Sequence, residues 1–308
     1  MSKVLVTGGA GFIGSTLVDR LVSLGHDLVV LDDLSSGRQD YVNSAAKLYP
    51  IDICSSEVAK IFADEQFDFV YHLAAQIDVR KSVSDPEFDN KINVLGGLNI
   101  LENCRNYKVK KIIMASTGGA IYGEAEEIPT TENSPTYPVS PYGIHKLTLE
   151  KYLNYYYQVY GVNYTVLRFA NVYGPRQFKG GEAGVIAIFI DNAVKNLTSQ
   201  QFGDGLQTRD FVYVDDVVSA LAAALEIDCT SEINIGSGQE TTLLDIRREI
   251  AASLGRPMLV EEKPGKEGEQ RRSCLSYARA QAVLNWQPTV SLAEGVKRTI
   301  TWAQNLKN

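Results

Sequence analysis

The sequence has few of the side chains that bind metal ions or form cross-links. It contains 4 cysteines and 3 histidines among 308 residues. The cysteines are scattered without any Cys-x-x-Cys pair, and the histidines lack the spacing of zinc ligands, which argues against a metal site. Isolated cysteines in a chain of this size indicate free thiols in a reducing compartment, so we expect a cytoplasmic protein.

Positive charge and long apolar runs are also scarce. Lysine and arginine number 30 against 37 aspartates and glutamates, a formal net charge of −7, which argues against a nucleic-acid binder. No uninterrupted apolar run of about 18 residues occurs, so we expect no membrane-spanning helix. The apolar residues 3–7 are too few for a secretory signal. The length is typical of one large or two unequal domains.

A glycine-rich loop follows the first strand-like segment. Gly8, Gly11 and Gly14 lie between the β-branched residues 3–7 and a helical pattern of leucines. Backbone N–H groups at the start of such a helix bind a pyrophosphate, because they point outward and the helix dipole adds to their positive charge. The segment therefore predicts a dinucleotide site.

An acidic residue follows the second strand-like segment. The apolar residues 28–31 end at Asp32, which lies 24 positions after Gly8, and Asp33 comes next. An acid at this distance can accept both ribose hydroxyls of adenosine and repels a 2′-phosphate. The spacing therefore favours NAD over NADP.

Further apolar segments alternate with helical patterns along the first half of the chain. They lie at 48–53, 69–75, 110–115 and 164–169. This alternation predicts a parallel sheet that is covered on both faces and binds ligands beyond the carboxyl ends of its strands. The small and polar residues at or just past those ends are candidate site residues: Ala74, Ala75, Ser116, Thr117 and Asn171.

A tyrosine and a lysine are spaced four apart on a predicted helix. Ser140 is a typical N-cap, Pro141 a typical first residue and Gly161 a typical terminating residue, so Tyr142 and Lys146 share one helical face. A free phenol has a pKa near ~10. A neighbouring ammonium lowers the pKa of a phenol because it favours the phenolate. The pair is therefore a candidate for proton transfer with a substrate hydroxyl.

These motifs occur in a fixed order with several others: the Gly8–Gly14 loop, Asp32, His72-Leu73-Ala74-Ala75-Gln76, Tyr122-Gly123, Tyr142-x-x-x-Lys146, and the segments LRFANVYG (167–174) and RDFVYVDD (209–216). In this ordered set the chain resembles the extended short-chain dehydrogenases/reductases of the NAD-dependent epimerase/dehydratase family. It is most similar to the UDP-glucose 4-epimerases. The resemblance covers essentially the whole chain.

The resemblance implies an α/β fold with a Rossmann-type, doubly wound parallel sheet and a smaller C-terminal substrate-binding α+β lobe. Residues 1–173 would form the NAD-binding domain, to which about 209–236 return. Residues 174–208 and 237–308 would form the lobe that binds the nucleotide sugar.

The resemblance also implies an activity. Such enzymes invert C4 of a UDP-hexose, here UDP-glucose or UDP-galactose, through a transient 4-keto sugar and with tightly bound NAD. Tyr142 would take the proton of the sugar 4-hydroxyl, and Lys146 would hold the nicotinamide ribose. Relatives commonly form homodimers through the helix near residues 95–104 and the helix of Tyr142.

By the same resemblance, the cofactor contacts come from many parts of the first domain. They would be Gly8, Gly11, Phe12, Ile13, Gly14, Asp32, Asp33, Ser35, Ser36, Gly37, Asp52, Ile53, Leu73, Ala74, Ala75, Gln76, Asn93, Ser116, Tyr142, Lys146 and Val172.

One position departs from the family pattern. Relatives carry Ser or Thr four residues before the Tyr122-Gly123 pair, where its hydroxyl bonds the sugar 4-oxygen, but this chain has Gly118. We expect Thr117 to replace that hydroxyl, with Ser116 behind it. Gly118 and the following Gly119 argue against a 4,6-dehydratase, which needs Asp-Glu after the Thr, and against a UDP-glucuronate decarboxylase, which usually has Glu in this segment.

The remaining implied contacts concern the substrate. Asn171, Arg209 and Lys266 would hold the diphosphate, and Arg271 or Arg272 could compensate for the lysine, which lacks the fork geometry of arginine. Ser273 stands where some relatives have a bulky residue, so we expect N-acetylated sugars to be accepted as well.

Three alternatives stay open at this point. The same chemistry could act on another nucleotide sugar, such as UDP-glucuronate or a CDP-hexose. A net dehydrogenase or reductase comes next. A non-catalytic NAD-binding sensor is the third, although the presence of both Tyr142 and Lys146 argues against it.

Overall fold

The computed structural model describes residues 1–177, 184–265 and 270–306. The strands, in chain order, are β1 (Lys3–Thr7), β2 (Asp27–Leu31), β3 (Lys47–Tyr49), β4 (Phe69–His72), β5 (Lys111–Thr117), β6 (Tyr164–Phe169), β7 (Asn171–Tyr173), β8 (Ser199–Phe202), β9 (Thr208–Arg209), β10 (Phe211–Tyr213), β11 (Glu232–Ile235), β12 (Thr241–Thr242) and β13 (Val260–Lys263).

The α-helices are α1 (Phe12–Ser23), α2 (Val58–Glu65), α3 (Val79–Ser84), α4 (Pro86–Asn90), α5 (Gly97–Asn106), α6 (Gly118–Ile121), α7 (Pro141–Tyr160), α8 (Val185–Lys195), α9 (Val214–Glu226), α10 (Leu243–Leu254), α11 (Ala278–Leu284) and α12 (Leu292–Asn305). A 3₁₀ turn covers Gln39–Tyr41, and a π-helical segment (Lys91–Gly96) joins α4 to α5.

A seven-stranded parallel sheet forms the centre of the fold. Its strand order is β11-β6-β5-β4-β1-β2-β3. The order reverses between β1 and β4, and the carboxyl ends on either side of such a reversal form the ligand-binding crevice of doubly wound sheets. The predicted Rossmann-type fold is confirmed.

Alternating strand residues feed two separate cores. In β1, Val4 and Val6 pack with α1 and α9 on one face of the sheet, whereas Leu5 packs with α2, α5 and α7 on the other. All three side chains are fully buried. Because successive side chains of a strand point to opposite faces, one short apolar strand can anchor both helical layers.

Two predicted strands are shorter than the sequence suggested. The segment 48–53 is a strand only to Tyr49, because Pro50 has no N–H group for the ladder. The segment 69–75 ends as a strand at His72. There the Thr7 hydroxyl accepts the Ala74 N–H at 3.2 Å and turns the chain across the glycine loop.

The second half of the chain forms smaller sheets beside the main one. β7 pairs with β10 and β8 with β13 in parallel, whereas β9 and β12 are antiparallel. β11 returns to the edge of the main sheet next to β6. In the described ranges, no helix has the length and apolarity needed to cross a membrane.

Candidate active site at the carboxyl edge of the sheet

The glycine loop is a tight cradle at the start of α1. Gly8 has a φ of +72°, and a Cβ on it would lie 2.7 Å from the Ala74 nitrogen. A Cβ on Gly14 would overlap the carbonyl oxygen of Gly8. Gly11 precedes the helix without a capping side chain, so the first N–H groups, those of Phe12 and Ile13, face outward. This geometry fits the pyrophosphate of a dinucleotide.

Asp32 stands at the end of β2, next to this cradle. Its Oδ2 accepts the Ala10 N–H and its Oδ1 accepts the Leu34 N–H, both at 2.9 Å. Burial raises the pKa of this carboxyl, and the two N–H groups oppose that rise. Gly37 faces Asp32, since a Cβ there would lie 2.7 Å from Oδ1. The acid is thus fixed in orientation beside the loop.

The other residues predicted for the adenosine end lie around Asp32. Asp33 is exposed, and its Oδ1 accepts both the N–H (2.9 Å) and the hydroxyl (2.6 Å) of Ser35. Ser36 is exposed as well. Asp52 caps its own turn by accepting the Cys54 N–H at 2.8 Å. Ile53 is buried, where it packs against Gly96 of the π-helical segment.

The loop after β4 is held by an asparagine from the π-helical segment. Asn93 is buried, and its amide accepts the Gln76 N–H at 3.0 Å and donates to the Gln76 carbonyl at 2.8 Å. Leu73, Ala74 and Ala75 are partly buried in the same loop. His72 beneath them pairs with the Thr7 hydroxyl at 2.9 Å. Burial, with help from the charge of Lys146, lowers the pKa of His72 to about 3, so this imidazole is neutral.

The helix predicted to carry Tyr142 and Lys146 is present as α7. The Ser140 hydroxyl accepts the Gly143 N–H at 3.2 Å, Pro141 occupies the first turn, and Gly161 ends the helix with a φ of +70°. Lys146 is buried and its Nζ donates to the Ala115 carbonyl at 2.9 Å. Burial lowers the pKa of Lys146 to about 8, and the carboxylates of Glu150 and Asp89 oppose this effect.

The end of β5 carries the three residues next to Lys146. The buried Ser116 donates its hydroxyl to Glu150 Oε1 at 2.6 Å, so this hydroxyl faces the protein interior. Thr117 is partly buried, and its side chain makes no cap for α6. Gly118 is buried against Leu275, and a Cβ at 118 would overlap a Leu275 methyl group. No larger residue fits at Gly118 unless Leu275 moves.

A buried ion pair that the sequence analysis did not predict lies behind α7. Arg168 donates to both oxygens of Glu150, at 3.1 Å and 2.6 Å, and to the Tyr122 hydroxyl at 2.9 Å. Tyr122 in turn donates to Asn234 at 2.8 Å. The available signal was that Glu150 lies one helical turn beyond Lys146. This chain of contacts fixes α7 to β5 and β6.

The residues predicted to hold the diphosphate lie on β7 and β9. The Asn171 amide donates to the Asp210 carbonyl at 3.2 Å, and Arg209 donates to the Thr208 carbonyl at 2.8 Å. Val172 lies next in β7 and is partly buried. The sequence did not single out Asp210, a buried carboxylate whose side chain accepts N–H groups from three residues nearer the C-terminus: Ser237 (2.7 Å), Gly238 (3.2 Å) and Leu275 (3.1 Å).

The other predicted substrate contacts differ in their surroundings. Ser273 is buried, and Lys266 lies outside the described residues. The two arginines expected to compensate for the lysine are each held by a carboxylate: Arg271 by Asp204, and Arg272 by Glu240. Across the described ranges, no group of three or more His, Cys, Asp or Glu side chains could hold a metal ion.

Comparison with known proteins identifies relatives over the whole chain. Residues 4–236 match the model of the NAD dependent epimerase/dehydratase family. The UDP-glucose 4-epimerase of Thermotoga maritima, solved with UDP-glucose, is 44% identical, with a TM-score of 0.97 over 99% of this chain and 100% of that one. The UDP-glucose 4-epimerase of Thermus thermophilus, in complex with NAD, is 41% identical, with a TM-score of 0.93 over 98% of each chain.

A third solved structure widens the range of sugars among these relatives. The UDP-N-acetylglucosamine 4-epimerase of Methanobrevibacter ruminantium, in complex with UDP-N-acetylmuramic acid, is 32% identical. The match has a TM-score of 0.93 and covers 98% of this chain and 97% of that one.

Proposed function

We propose that this chain, which belongs to the NAD-dependent epimerase/dehydratase family, inverts C4 of a UDP-hexose and interconverts UDP-glucose and UDP-galactose. One observation carries the proposal. Lys146 is buried one helical turn from Tyr142 and donates to Ala115 at the carboxyl end of β5. The glycine cradle lies at the same edge of the same sheet.

The residues of the glycine loop fit NAD, because the first N–H groups of α1 have no capping side chain and the oriented Asp32 carboxylate beside them could accept the hydroxyls of the adenosine ribose. When bound, NAD would supply the hydride acceptor, and then the hydride donor, for C4 of the sugar. Gly8, Gly11 and Gly14 would admit the pyrophosphate, and Phe12 and Ile13 would bind it through their N–H groups.

Tyr142 and Lys146 supply the proton chemistry. Tyr142 would remove the proton of the 4-hydroxyl and give it back when the other epimer forms. Lys146 carries its proton below about pH 8, and a nearby ammonium stabilises the phenolate form of a tyrosine. His72, the nearest buried imidazole beneath the site, is neutral and does not compete for this role.

Thr117 is the hydroxyl that would assist Tyr142. Ser116 donates its hydroxyl to Glu150, and a side chain at Gly118 would collide with Leu275. Thr117 lies between these two residues at the end of β5 and is partly buried. We therefore assign Thr117 to the sugar 4-oxygen.

The diphosphate would be bound by Asn171, whose amide donates to the Asp210 backbone carbonyl, and by Arg209, which directly precedes Asp210. The Asp210 carboxylate ties this segment to Ser237, Gly238 and Leu275, whose N–H groups it accepts. Arginine suits this role because its planar fork matches two phosphate oxygens. Lys266 is proposed as the second cation on sequence grounds alone.

The site would also accept N-acetylated sugars. Ser273 has a small side chain, and an N-acetylglucosamine epimerase is among the related structures. Conversion of UDP-GalNAc beside UDP-Gal tests this proposal. Full activity on UDP-Gal with no detectable turnover of UDP-GalNAc would contradict it.

Two features of the cellular protein complete the proposal. Leu95 is 53% exposed and Ile144 on α7 is 48% exposed, which supports a homodimer formed through the π-helical segment, α5 and α7. The four cysteines are free thiols, which supports a reducing, cytoplasmic location.

Incubation of the purified protein with UDP-galactose and no added cofactor tests the reaction. UDP-glucose without net NADH is the expected result, since tightly bound NAD is regenerated in each cycle. A steady build-up of NADH would indicate a dehydrogenase instead. No change would contradict the UDP-hexose assignment and leave another nucleotide sugar or a sensor.

A further inference from the structure

A fully buried carboxylate connects the catalytic helix to the loop after β4. Asp89 on α4 is 0% exposed. Its Oδ2 lies 2.5 Å from Nδ1 of His145, and its Oδ1 accepts the side-chain amide of Gln76 at 2.6 Å. His145 directly precedes Lys146 on α7 and its side chain is 15% exposed.

Gln76 is held at several atoms rather than one. Its side-chain oxygen accepts the Asp78 N–H at 2.6 Å, and its side-chain nitrogen also donates to the Asp78 carbonyl at 2.9 Å. Its own N–H and C=O are both bonded to the amide of Asn93. Hydrogen bonds from Asp89 and Asn93 therefore hold the conformation of this loop.

The same helical region holds the start of α7. The Ser82 hydroxyl on α3 is fully buried and accepts the Tyr142 N–H at 3.1 Å. Helices α3 and α4 and the π-helical segment thus contact both the proton-transfer pair and the loop after β4. A buried carboxylate is stable only where its oxygens are bonded, so Asp89 holds His145 and Gln76 in fixed relative positions.

We propose that His145 and Asp89 are positioning residues that keep the loop after β4 at a fixed distance from Tyr142 and Lys146. The inference rests on the proposed function, in which that loop contacts the cofactor and α7 transfers the proton. The cofactor contacts lie on the loop after β4, and the proton-transfer residues lie on α7. A shift of about 1 Å between this loop and this helix would therefore slow the chemical step strongly. Binding of the UDP group in the lobe would change little.

Three variants separate positioning from general damage to α7. His145→Ala removes the contact with Asp89, whereas His145→Gln keeps a donor that can reach the carboxylate. Thr148→Ala is the matched control, because it removes a side-chain hydrogen bond on the same helix, from Thr148 to the Ile144 carbonyl at 2.8 Å. The readouts are kcat and KM for UDP-galactose, NAD content per chain, and hydrogen–deuterium exchange of the Gln76 and Asp78 amides.

For His145→Ala we expect kcat to fall by about tenfold or more, because the loop and the helix lose their common support. KM should stay within about threefold, since uniform binding is unaffected. Exchange at Gln76 and Asp78 should rise by about fivefold or more, because local opening becomes easier. His145→Gln should restore most of the wild-type kcat and most of the protection from exchange. Thr148→Ala should change neither quantity.

Wild-type kcat in His145→Ala, or unchanged exchange at Gln76 and Asp78, would overturn the inference. Equal losses in Thr148→Ala would do the same, because they would show a nonspecific effect on α7. If His145→Ala fails to fold, His145→Phe keeps a ring of similar size without a donor for Asp89 and must show the same two changes. If the wild-type protein does not convert UDP-galactose, the proposed function fails, while the exchange data still decide whether His145 holds the loop.

Discussion

Backbone atoms build the nucleotide end of the candidate site, whereas buried side chains build its catalytic end. Around Gly8 and Gly14 the constraint is the absence of a Cβ, because neighbouring backbone atoms already occupy that space. Around Lys146 the constraint is a set of hydrogen bonds between different elements, such as Lys146 on α7 with Ala115 on β5 and Glu150 on α7 with Arg168 on β6.

The difference shows how the two ends respond to mutation. At the nucleotide end a Cβ added at Gly8 or Gly14 is harmful, because backbone atoms already occupy that space. At the catalytic end the removal of a single partner is harmful, because a buried polar group then loses its bond. Four substitutions or conditions test this distinction.

The largest effect is expected from loss of one hydroxyl at the catalytic end. Tyr142→Phe should lower turnover of UDP-galactose by about 10²–10⁴-fold, which is the usual contribution of an acid–base group. NAD content per chain should be unchanged, because the cradle is intact. Turnover and bound NAD can be measured on one preparation, and an active variant would refute the role assigned to Tyr142.

The next effect concerns the stability of the catalytic end. Glu150→Gln leaves Arg168 buried without its counter-charge and should lower the free energy of unfolding by about 3–5 kcal/mol. The matched control is Glu294→Gln, which breaks an exposed pair with Arg298 on α12 and should have a much smaller effect. Urea unfolding of both variants measures the difference. Equal losses would mean that burial of the Glu150 pair is unimportant.

A smaller loss of stability, with a specific loss of cofactor, is expected at the nucleotide end. Gly14→Ala places a Cβ on the Gly8 carbonyl and should cost about 1–3 kcal/mol, the usual range for overpacking. Bound NAD should be lost with it. Gly119→Ala is the control, because the nearest atom to its Cβ would be Thr117 Oγ1 at 3.9 Å. Retention of NAD by Gly14→Ala would argue against binding of the pyrophosphate by the Gly8–Gly14 loop.

The mildest test uses pH and leaves the sequence unchanged. Lys146 is protonated below its pKa of about 8 and neutral above it, since burial disfavours the ammonium. The assigned role needs the ammonium, so kcat/KM should fall by up to about tenfold per pH unit above about pH 8. A profile measured from about pH 6 to about pH 10 should show this alkaline limb. A constant rate over that whole range would contradict the role assigned to Lys146.

The features that depend on a few consecutive residues could be predicted from the sequence. The glycine spacing, the acid after β2 and the capped helix from Pro141 each depend on a few consecutive residues, and the structure contains all three. The extents of β3 and β4 were wrong, because Pro50 and the Thr7 hydroxyl end them early.

Contacts between distant segments were harder to predict. Glu150 could have been noticed one turn after Lys146, but nothing in the sequence relates Tyr122 to Asn234. These two residues meet because β6 lies between β11, which carries Asn234, and β5, which leads into α6 and Tyr122. The ion pairs of Arg271 with Asp204 and of Arg272 with Glu240 were not predicted either, because each joins two segments that are far apart in the sequence.

The packing of Leu275 against Gly118 has an evolutionary consequence. A serine or threonine at position 118 would fit only if the Leu275 side chain moved aside or residue 275 were smaller, whereas a smaller residue 275 beside Gly118 would leave a cavity. The two positions are therefore epistatic, because the free-energy cost of a side chain at 118 depends on the residue at 275.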